Sequence, residues 1–243
     1  MKNYRERIYS NYVSAAEQGD IPTSSSILKV RAPTMHFIIS KFFPRDKNAD
    51  ILDLGCGYGA LEYFANIRGY INIKGIDISE EQVELSNKLG ISGIECGELF
   101  EIIQLKNDSS LDLVISLDVI EHLTKEELIK LADNIFRVLK PGGGWLIHVP
   151  NASSPFFGDI RYGDYTHEQA FTTQSIKQLL ISCGFKNFLF EESGPRTHGF
   201  KSFIRVIFWK FFRLILNVFN AVETGQYNKR AILTRNMYAV SYK

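Results

Sequence analysis

Cysteine is scarce in this chain: Cys56, Cys96 and Cys183 are odd in number and far apart. Their spacing offers neither a disulfide framework nor a metal-binding knuckle, so a reducing compartment is expected. An excess of charge of either sign is also missing. Lys plus Arg number 28 against 27 acids, a formal net charge of +1. Such a protein has no global field to gather nucleic acid, and no nucleic-acid partner is expected. Internal repeats and low-complexity tracts are absent. Met1 to Arg7 is charged and holds no apolar run, so no secretory leader is expected. What the chain does have is apolar material, 45% of its residues, enough for one sizeable core. Its 243 residues suit a single domain with extensions.

The pattern along the chain divides it at about residue 45. Residues 1–45 read as a helical extension or lid carrying Tyr4, Tyr9 and Tyr12, with Pro33 early in a helical stretch from Ile27 to Phe43. Residues 46–243 read as the main domain, with an apolar helical insertion at about 199–222. Short apolar runs at Ile51–Leu54, Ile71–Ile78, Ile91–Cys96, Leu111–Leu117 and Trp145–Val149 predict buried strands. Helices are expected between them, from Leu61, from Ser79 and from Thr124. Thr124 with Glu127 has the spacing of a capping box, as does Ser79 with Gln82. Arg137 and Lys140 fall beside the negative pole of the Thr124 helix, and Pro141 to Gly144 reads as a turn. Strands and helices that alternate through short links imply a parallel sheet covered on both faces. Beyond it, a loop (Asn151–Ala170), a helix (Thr173–Cys183), a strand (Lys186–Glu192) and a last strand (Arg235–Tyr242) are expected.

Asp53-Leu54-Gly55-Cys56-Gly57-Tyr58-Gly59 lies between the first strand and its helix. Glycines there let the chain turn tightly and bring backbone N–H groups against a ligand. Asp77 ends the next strand, where a carboxylate can accept from both hydroxyls of a ribose. A structural turn with a solvated acid is the bland alternative, and the register of strand, loop, helix, strand and acid argues against it. The spacing also fits a dinucleotide fingerprint, so an NAD(P) oxidoreductase is the first rival. Asp53 speaks against that rival, since a carboxylate beside the loop repels a pyrophosphate and attracts a cation. So do the residues that precede the first strand and the acids Asp118 and Glu121 at the end of the fourth.

These residues resemble the class I S-adenosylmethionine (SAM)-dependent methyltransferase superfamily. The resemblance rests on Asp53–Gly59, Gly75-Ile76-Asp77-Ile78, Asp112–Leu123 and Leu139-Lys140-Pro141-Gly142-Gly143, and covers roughly residues 48–192. It implies an α/β Rossmann-like fold with a mostly parallel seven-stranded sheet whose last strand is antiparallel. SAM is the implied cofactor, with its methionine part around Asp53, Gly55, Cys56 and Gly57 and its ribose on Asp77. Ile78, Gly97, Glu98 and Leu99 would flank the adenine, with Leu117 and Asp118 completing the site. Glu98 stands where relatives often carry Asp. Tyr9 and Tyr12 would belong to a lid over the cofactor. A non-catalytic SAM-binding protein is a further alternative.

Methyl transfer is an in-line displacement that needs alignment and sometimes removal of a proton, not a covalent nucleophile. Asp118, Glu121 and His122 would share one face of a helical turn. They look like the Asp/Glu-x-x-Glu-His pattern of ubiquinone-biosynthesis and small-RNA O-methyltransferases, which implies a divalent metal such as Mg²⁺ on these three side chains. The alternative is that Asp118 orients SAM while Glu121 and His122 brace the sheet. Gly163-Asp164-x-Thr166-His167 resembles methyltransferases of bacterial sugar and surface-glycan pathways. On that reading His167 is a general base, Asp164 orients it, and Arg161 with Asn151 binds the acceptor; otherwise Asp164 and His167 only tie the loop. His148, inside a strand, reads as a satisfied core histidine, and His36 and His198 carry weaker claims. The expected reaction is O-methylation of a small molecule, sugar nucleotide or glycan precursor, with a quinone-pathway phenol as the other acceptor class. Amide or exocyclic-amine methylation is disfavoured, because Ser116-Leu117-Asp118-Val119 replaces the Asn/Asp-Pro-Pro-Tyr/Phe motif used there.

The helical stretch from Phe200 to Phe219 is apolar apart from Lys201, Arg205, Lys210 and Arg213. Lys210 and Arg213 near a bilayer centre disfavour a full span. Three readings remain: a helix covering its own sheet, a homodimer seam, or an in-plane helix on the inner face of the membrane of a cytoplasmic protein.

Overall fold

The computed structural model describes Ile8, residues 26–197 and residues 199–243. Tyr4, Tyr9, Tyr12 and His198, singled out above, lie outside the described residues. A helix α1 (Ser26–Phe42) is followed by β1 (Ile51–Leu54), α2 (Ala60–Ile67), β2 (Ile73–Asp77), α3 (Glu80–Lys88), β3 (Ile94–Cys96) and α4 (Leu99–Leu105). Next come β4 (Leu111–Leu117), a 3₁₀ turn (Ile120–His122), α5 (Lys125–Val138), β5 (Leu139–Pro150) and α6 (Phe157–Arg161). The chain ends with α7 (Thr173–Ser182), β6 (Lys186–Glu192), α8 (Phe200–Thr224) and β7 (Asn236–Tyr242). The seven strands form one sheet in the order β3-β2-β1-β4-β5-β7-β6. The first five pair in parallel, and β7 runs antiparallel between β5 and β6. This is the Rossmann-like fold with one reversed strand that the motifs imply.

The sheet is buried on both faces, as a parallel sheet must be. One side packs Leu131, Ile135, Trp145 and Phe185 into a core with α5 and α7. The other packs Ile51, Leu61, Ile115 and Tyr238 against α1 and α2. Leu28, Met35, Ile38 and Ile39 of α1 lie in that second core. Trp145 is fully buried, and its Nε1 donates to Ser116 Oγ at 3.1 Å, so the indole is both packed and satisfied.

Three local expectations change. The Pro141–Gly144 turn is absent, because β5 begins at Leu139 and continues through the glycines, absorbing a register shift near Leu111. The helix α4 was not foreseen. Its N-cap is Glu98, whose carboxylate accepts from the N–H groups of Phe100 and Glu101. Arg137 serves the far end of α4 instead of its own helix, donating to the carbonyls of Ile103, Gln104 and Lys106. A guanidinium at the negative pole of that short helix holds α4 against α5.

Candidate functional site

The site lies at the carboxyl ends of β1, β2, β4 and β5, where an open parallel sheet places its ligand crevice. After β1 the chain turns sharply, and the N–H groups of Gly55 and Cys56 both donate to the Ile76 carbonyl. Gly55 is left-handed, with φ +76°, and a Cβ there would lie 2.5 Å from Val119 Cγ2. Gly69 is also left-handed but has nothing within 4 Å of the same point. Left-handed backbone costs a side-chain-bearing residue about 1–2 kcal/mol. Gly69→Ala is therefore expected to lose about 1–2 kcal/mol in urea denaturation. Gly55→Ala is expected to lose about 1–3 kcal/mol more, since Val119 must move.

Below the loop, Asp53 and Glu62 are buried against each other. Asp53 Oδ1 and both Glu62 oxygens meet no hydrogen-bond partner at normal geometry. Burial and the mutual charge raise the Asp53 carboxyl well above its usual range; burial pushes Glu62 up to about 7. The pair therefore retains a proton at neutral pH, a state that a nearby cation would reverse. Glu62 interrupts the apolar face made by Leu61, Phe64 and Ala65.

At the end of β2, Asp77 accepts from the N–H of Gly57 at 2.7 Å and of Ser79 at 2.9 Å. Each oxygen takes one bond and keeps a second lone-pair direction, so the pair can still accept from two hydroxyls. Burial raises this carboxyl, and the two backbone bonds oppose that shift. Ile78 beside it is 52% exposed, an apolar surface suited to a flat base. Gly97 donates its N–H to the Asp77 carbonyl, and half-buried Leu99 opens α4 next to it. The Cys56 thiol is pushed up by burial and the surrounding acids, which leaves it uncharged and unreactive. Ser79 caps α3 by accepting from Gln82 N–H, while Gln82 Oε1 remains buried without a partner near Gly57. An adenosine with a cationic amino-acid tail fits this set: a hydroxyl acceptor, an apolar ledge and a buried acid pair.

Across the crevice, Asp118 follows the partly buried Leu117 and is left-handed at φ +56°, a region where Asp is tolerated. Its Oδ1 meets His148 Nδ1 at 2.8 Å, and His148 Nε2 meets Ser193 Oγ at 2.8 Å. Desolvation alone would raise the Asp118 carboxyl; the facing His148 and nearby Arg31 outweigh it and hold the group below its usual range. His148 is thus a satisfied buried histidine, tilted against the Tyr238 ring with centroids 4.5 Å apart, and it also anchors the site's ionised carboxylate.

Residues 120–122 form a 3₁₀ turn, so Asp118, Glu121 and His122 do not share a helical face. Asp118 turns to His148, and His167 takes its place beside Glu121 and His122. One ligand-type atom from each of these last three lies within 4.8 Å of the others. Glu121 is buried, with Oε2 unpartnered, and burial with the Asp118 charge raises its carboxyl. Thr166 Oγ1 donates to Asp164 Oδ1 at 2.6 Å and meets His122 Nδ1 at 2.8 Å. That chain assigns the His122 proton to Nδ1. Burial and the neighbouring His167 lower His122 to about 4, so its imidazole is neutral at ordinary pH. His167 Nδ1 is likewise directed to the Ile160 carbonyl at 2.9 Å. Through the Thr166 hydroxyl, Asp164 acts on His122.

Two expected acceptor contacts are also corrected. Asn151 is fully buried, donating to the Ile232 and Thr234 carbonyls and accepting from Ser153 N–H. Arg161 donates to the His167 and Glu168 carbonyls. Both side chains tie the loop between β5 and α7. The Glu121 carbonyl holds the same loop by accepting from Glu168 and Gln169 N–H. Sequence reasoning missed Glu62, His148 with Ser193, and Arg31 as site residues. Only Glu62 left a signal, an acid on the apolar side of a helix. A groove of about 390 Å³ near Asn72 and Lys74 lies at the opposite end of the strands and is separate from these residues.

Comparison with known proteins agrees with this geometry. The family model described as "Methyltransferase domain" matches residues 30–189. Phosphoethanolamine N-methyltransferase 1 of Arabidopsis thaliana is 26% identical over 162 residues, 64% of this chain and 32% of its own length. Ajmaline N-methyltransferase of Rauvolfia serpentina is 34% identical over 119 residues, 46% of this chain and 40% of its own. The chain thus spans about a third to two fifths of these curated relatives. A SAM-dependent methyltransferase structure from Archaeoglobus fulgidus superposes with TM-score 0.64 at 21% identity, covering 90% of this chain and 95% of that one. With a seven-stranded sheet, a glycine loop and a ribose-type acid in register, the chain belongs to the methyltransferase-domain family, on the fold of the SAM-dependent methyltransferases.

Proposed function

We propose that the protein is an active SAM-dependent methyltransferase that methylates an amine of a small molecule. The observation that carries the acceptor is the adjacent pair Glu121 and His122, a buried carboxyl with an unpartnered oxygen and a neutral imidazole, with the ionised carboxylate of Asp118 on the same crevice. The Asp118 carboxylate attracts an ammonium group, and that carboxylate or the neutral imidazole can take the proton an amine must lose before it attacks. Bound SAM would supply an electrophilic methyl on a cationic sulfur. The chain's own residues align the acceptor and hold the proton. The names of both curated relatives, which are N-methyltransferases, support an amine over the hydroxyl expected from sequence. Arg161 is committed to backbone carbonyls, which removes the cation expected to hold an anionic sugar acceptor.

A second reading keeps a hydroxyl acceptor, with a divalent cation on Glu121, His122 and His167. Two imidazoles and one carboxylate suit zinc, manganese or iron better than Mg²⁺, which prefers oxygen donors. Transfer of radiolabelled methyl from SAM to panels of aliphatic amines and of sugar and phenol hydroxyls, with and without EDTA, separates the two. Labelled amines with no EDTA effect support the first reading. Labelled hydroxyls whose labelling EDTA abolishes support the second. SAM binding with no labelled acceptor supports a binding protein.

The acid pair under the loop gives a pH dependence. Glu62 rises from 4.5 to about 7 on folding, so the native state binds more protons than the unfolded chain between those values. The stability of the SAM-free protein therefore falls as pH rises through that window. A cationic ligand needs the pair ionised and recovers that loss. SAM affinity is expected to rise up to about tenfold per pH unit below 7. It should level off above, and weaken near pH ~8 as the ligand's amino group loses its proton. Calorimetric titration between pH 5.5 and 8.5 measures this, and a flat profile contradicts the assignment.

A further inference from the structure

We infer that α8 is an in-plane membrane-binding helix, with an anionic lipid surface as its partner. Its polarity is the reverse of a helix that covers a core. Toward the body of the protein it turns Ser202, Trp209, Arg213 and Asn217 together with the smaller apolar Val206 and Leu216, with Ser202 and Asn217 buried. Trp209 Nε1 donates to Glu192 at 3.2 Å, and Arg213 reaches the same carboxylate and the Lys229 carbonyl. Toward solvent it turns Phe203, Ile207, Phe211, Leu214, Val218 and Val222, which are 48% to 83% exposed. At about 100° per residue these six fall in one stripe along the helix. The expectation that this face covers the protein's own sheet is thereby overturned, since the apolar side points away from it.

Charge at the margins of the stripe selects the occupant. Lys201 and Arg205 lie along one edge and Lys210 along the other, all exposed. Between Lys201 and Arg230 the only acid is Glu223, at the last turn. A second copy meeting this face about a two-fold axis would bring the same cations together with no acids to pair them. Anionic headgroups meet both rims at once, while the side-chain stems snorkel and the apolar stripe enters the acyl boundary. No described helix is long and apolar enough to cross a membrane, which leaves the in-plane orientation.

Co-sedimentation of the full chain with vesicles of 3:1 phosphatidylcholine and phosphatidylglycerol, against phosphatidylcholine alone, tests the inference. At least tenfold tighter binding to the anionic vesicles is expected, weakening with salt. Lys201→Gln and Lys210→Gln should each cost about fivefold. Ile207→Asp with Phe211→Asp should abolish vesicle binding and leave SAM affinity unchanged, because both side chains are half exposed. Two results overturn it: protein that binds SAM yet ignores anionic vesicles, or a dimer in sedimentation velocity that Ile207→Asp with Phe211→Asp turns into a monomer.

Discussion

Asp77→Ala is expected to weaken SAM binding at least about 100-fold. The carboxylate does two things. It holds the glycine loop through Gly57 N–H and the start of α3 through Ser79 N–H, and it offers its remaining lone pairs to ligand hydroxyls. A hydrogen bond to a charged group contributes about 1.5–3 kcal/mol, so losing two or more crosses the 100-fold mark, about 2.7 kcal/mol. Asp77→Asn, which keeps an acceptor oxygen, should recover part of the loss. Equilibrium binding of SAM beside urea denaturation of the ligand-free variants separates ligand contact from loop collapse. Unchanged affinity in a folded Asp77→Ala protein would remove the ribose assignment.

His122→Ala is expected to lower kcat about 100-fold with SAM affinity held within about twofold, the size typical of a lost proton acceptor. The route from Asp164 through Thr166 fixes which nitrogen carries the proton. Thr166→Val should accordingly lose about tenfold in kcat with little change in KM, as a positioning residue would. His122 lies near 4, so wild-type kcat should show no limb between pH 5 and 7 from this group; the imidazole is neutral throughout. Rapid-quench measurement of the methyl-transfer step checks this directly. An acceptor KM raised in the alanine variant with kcat intact would make His122 a binding residue only.

Much of the fold was legible because its signals are local. β1, the glycine loop and β2 with Asp77 are fixed by apolar runs that end in glycine or acid. The Thr124–Glu127 capping box forms as read, with both of its reciprocal hydrogen bonds present. The α4 helix was not legible: it has seven residues and starts on a glutamate cap instead of Ser, Thr, Asp or Asn. The stretch from Asp118 to His122 misled because its spacing fits an α-helical face. A left-handed Asp118 and a 3₁₀ turn direct the Asp118 carboxylate to His148, while Glu121 and His122 stay together. Asn151 follows the end of β5 and Arg161 closes the short helix α6 in the loop beyond it, where ligand contacts are usual, and their polarity carries no mark of the backbone carbonyls they satisfy. In α8 the periodicity was plain from sequence, but which side faces inward depends on Glu192, a partner in another element.

The central claim concerns the ligand of the loop–Asp77 crevice, and calorimetric titration of the purified chain with SAM, S-adenosylhomocysteine and NADP at pH 7.5 tests it most directly. Saturable 1:1 binding of both adenosyl compounds and none of the nicotinamide nucleotide is the predicted result. Heat from NADP alone, with both adenosyl compounds silent, would contradict the account.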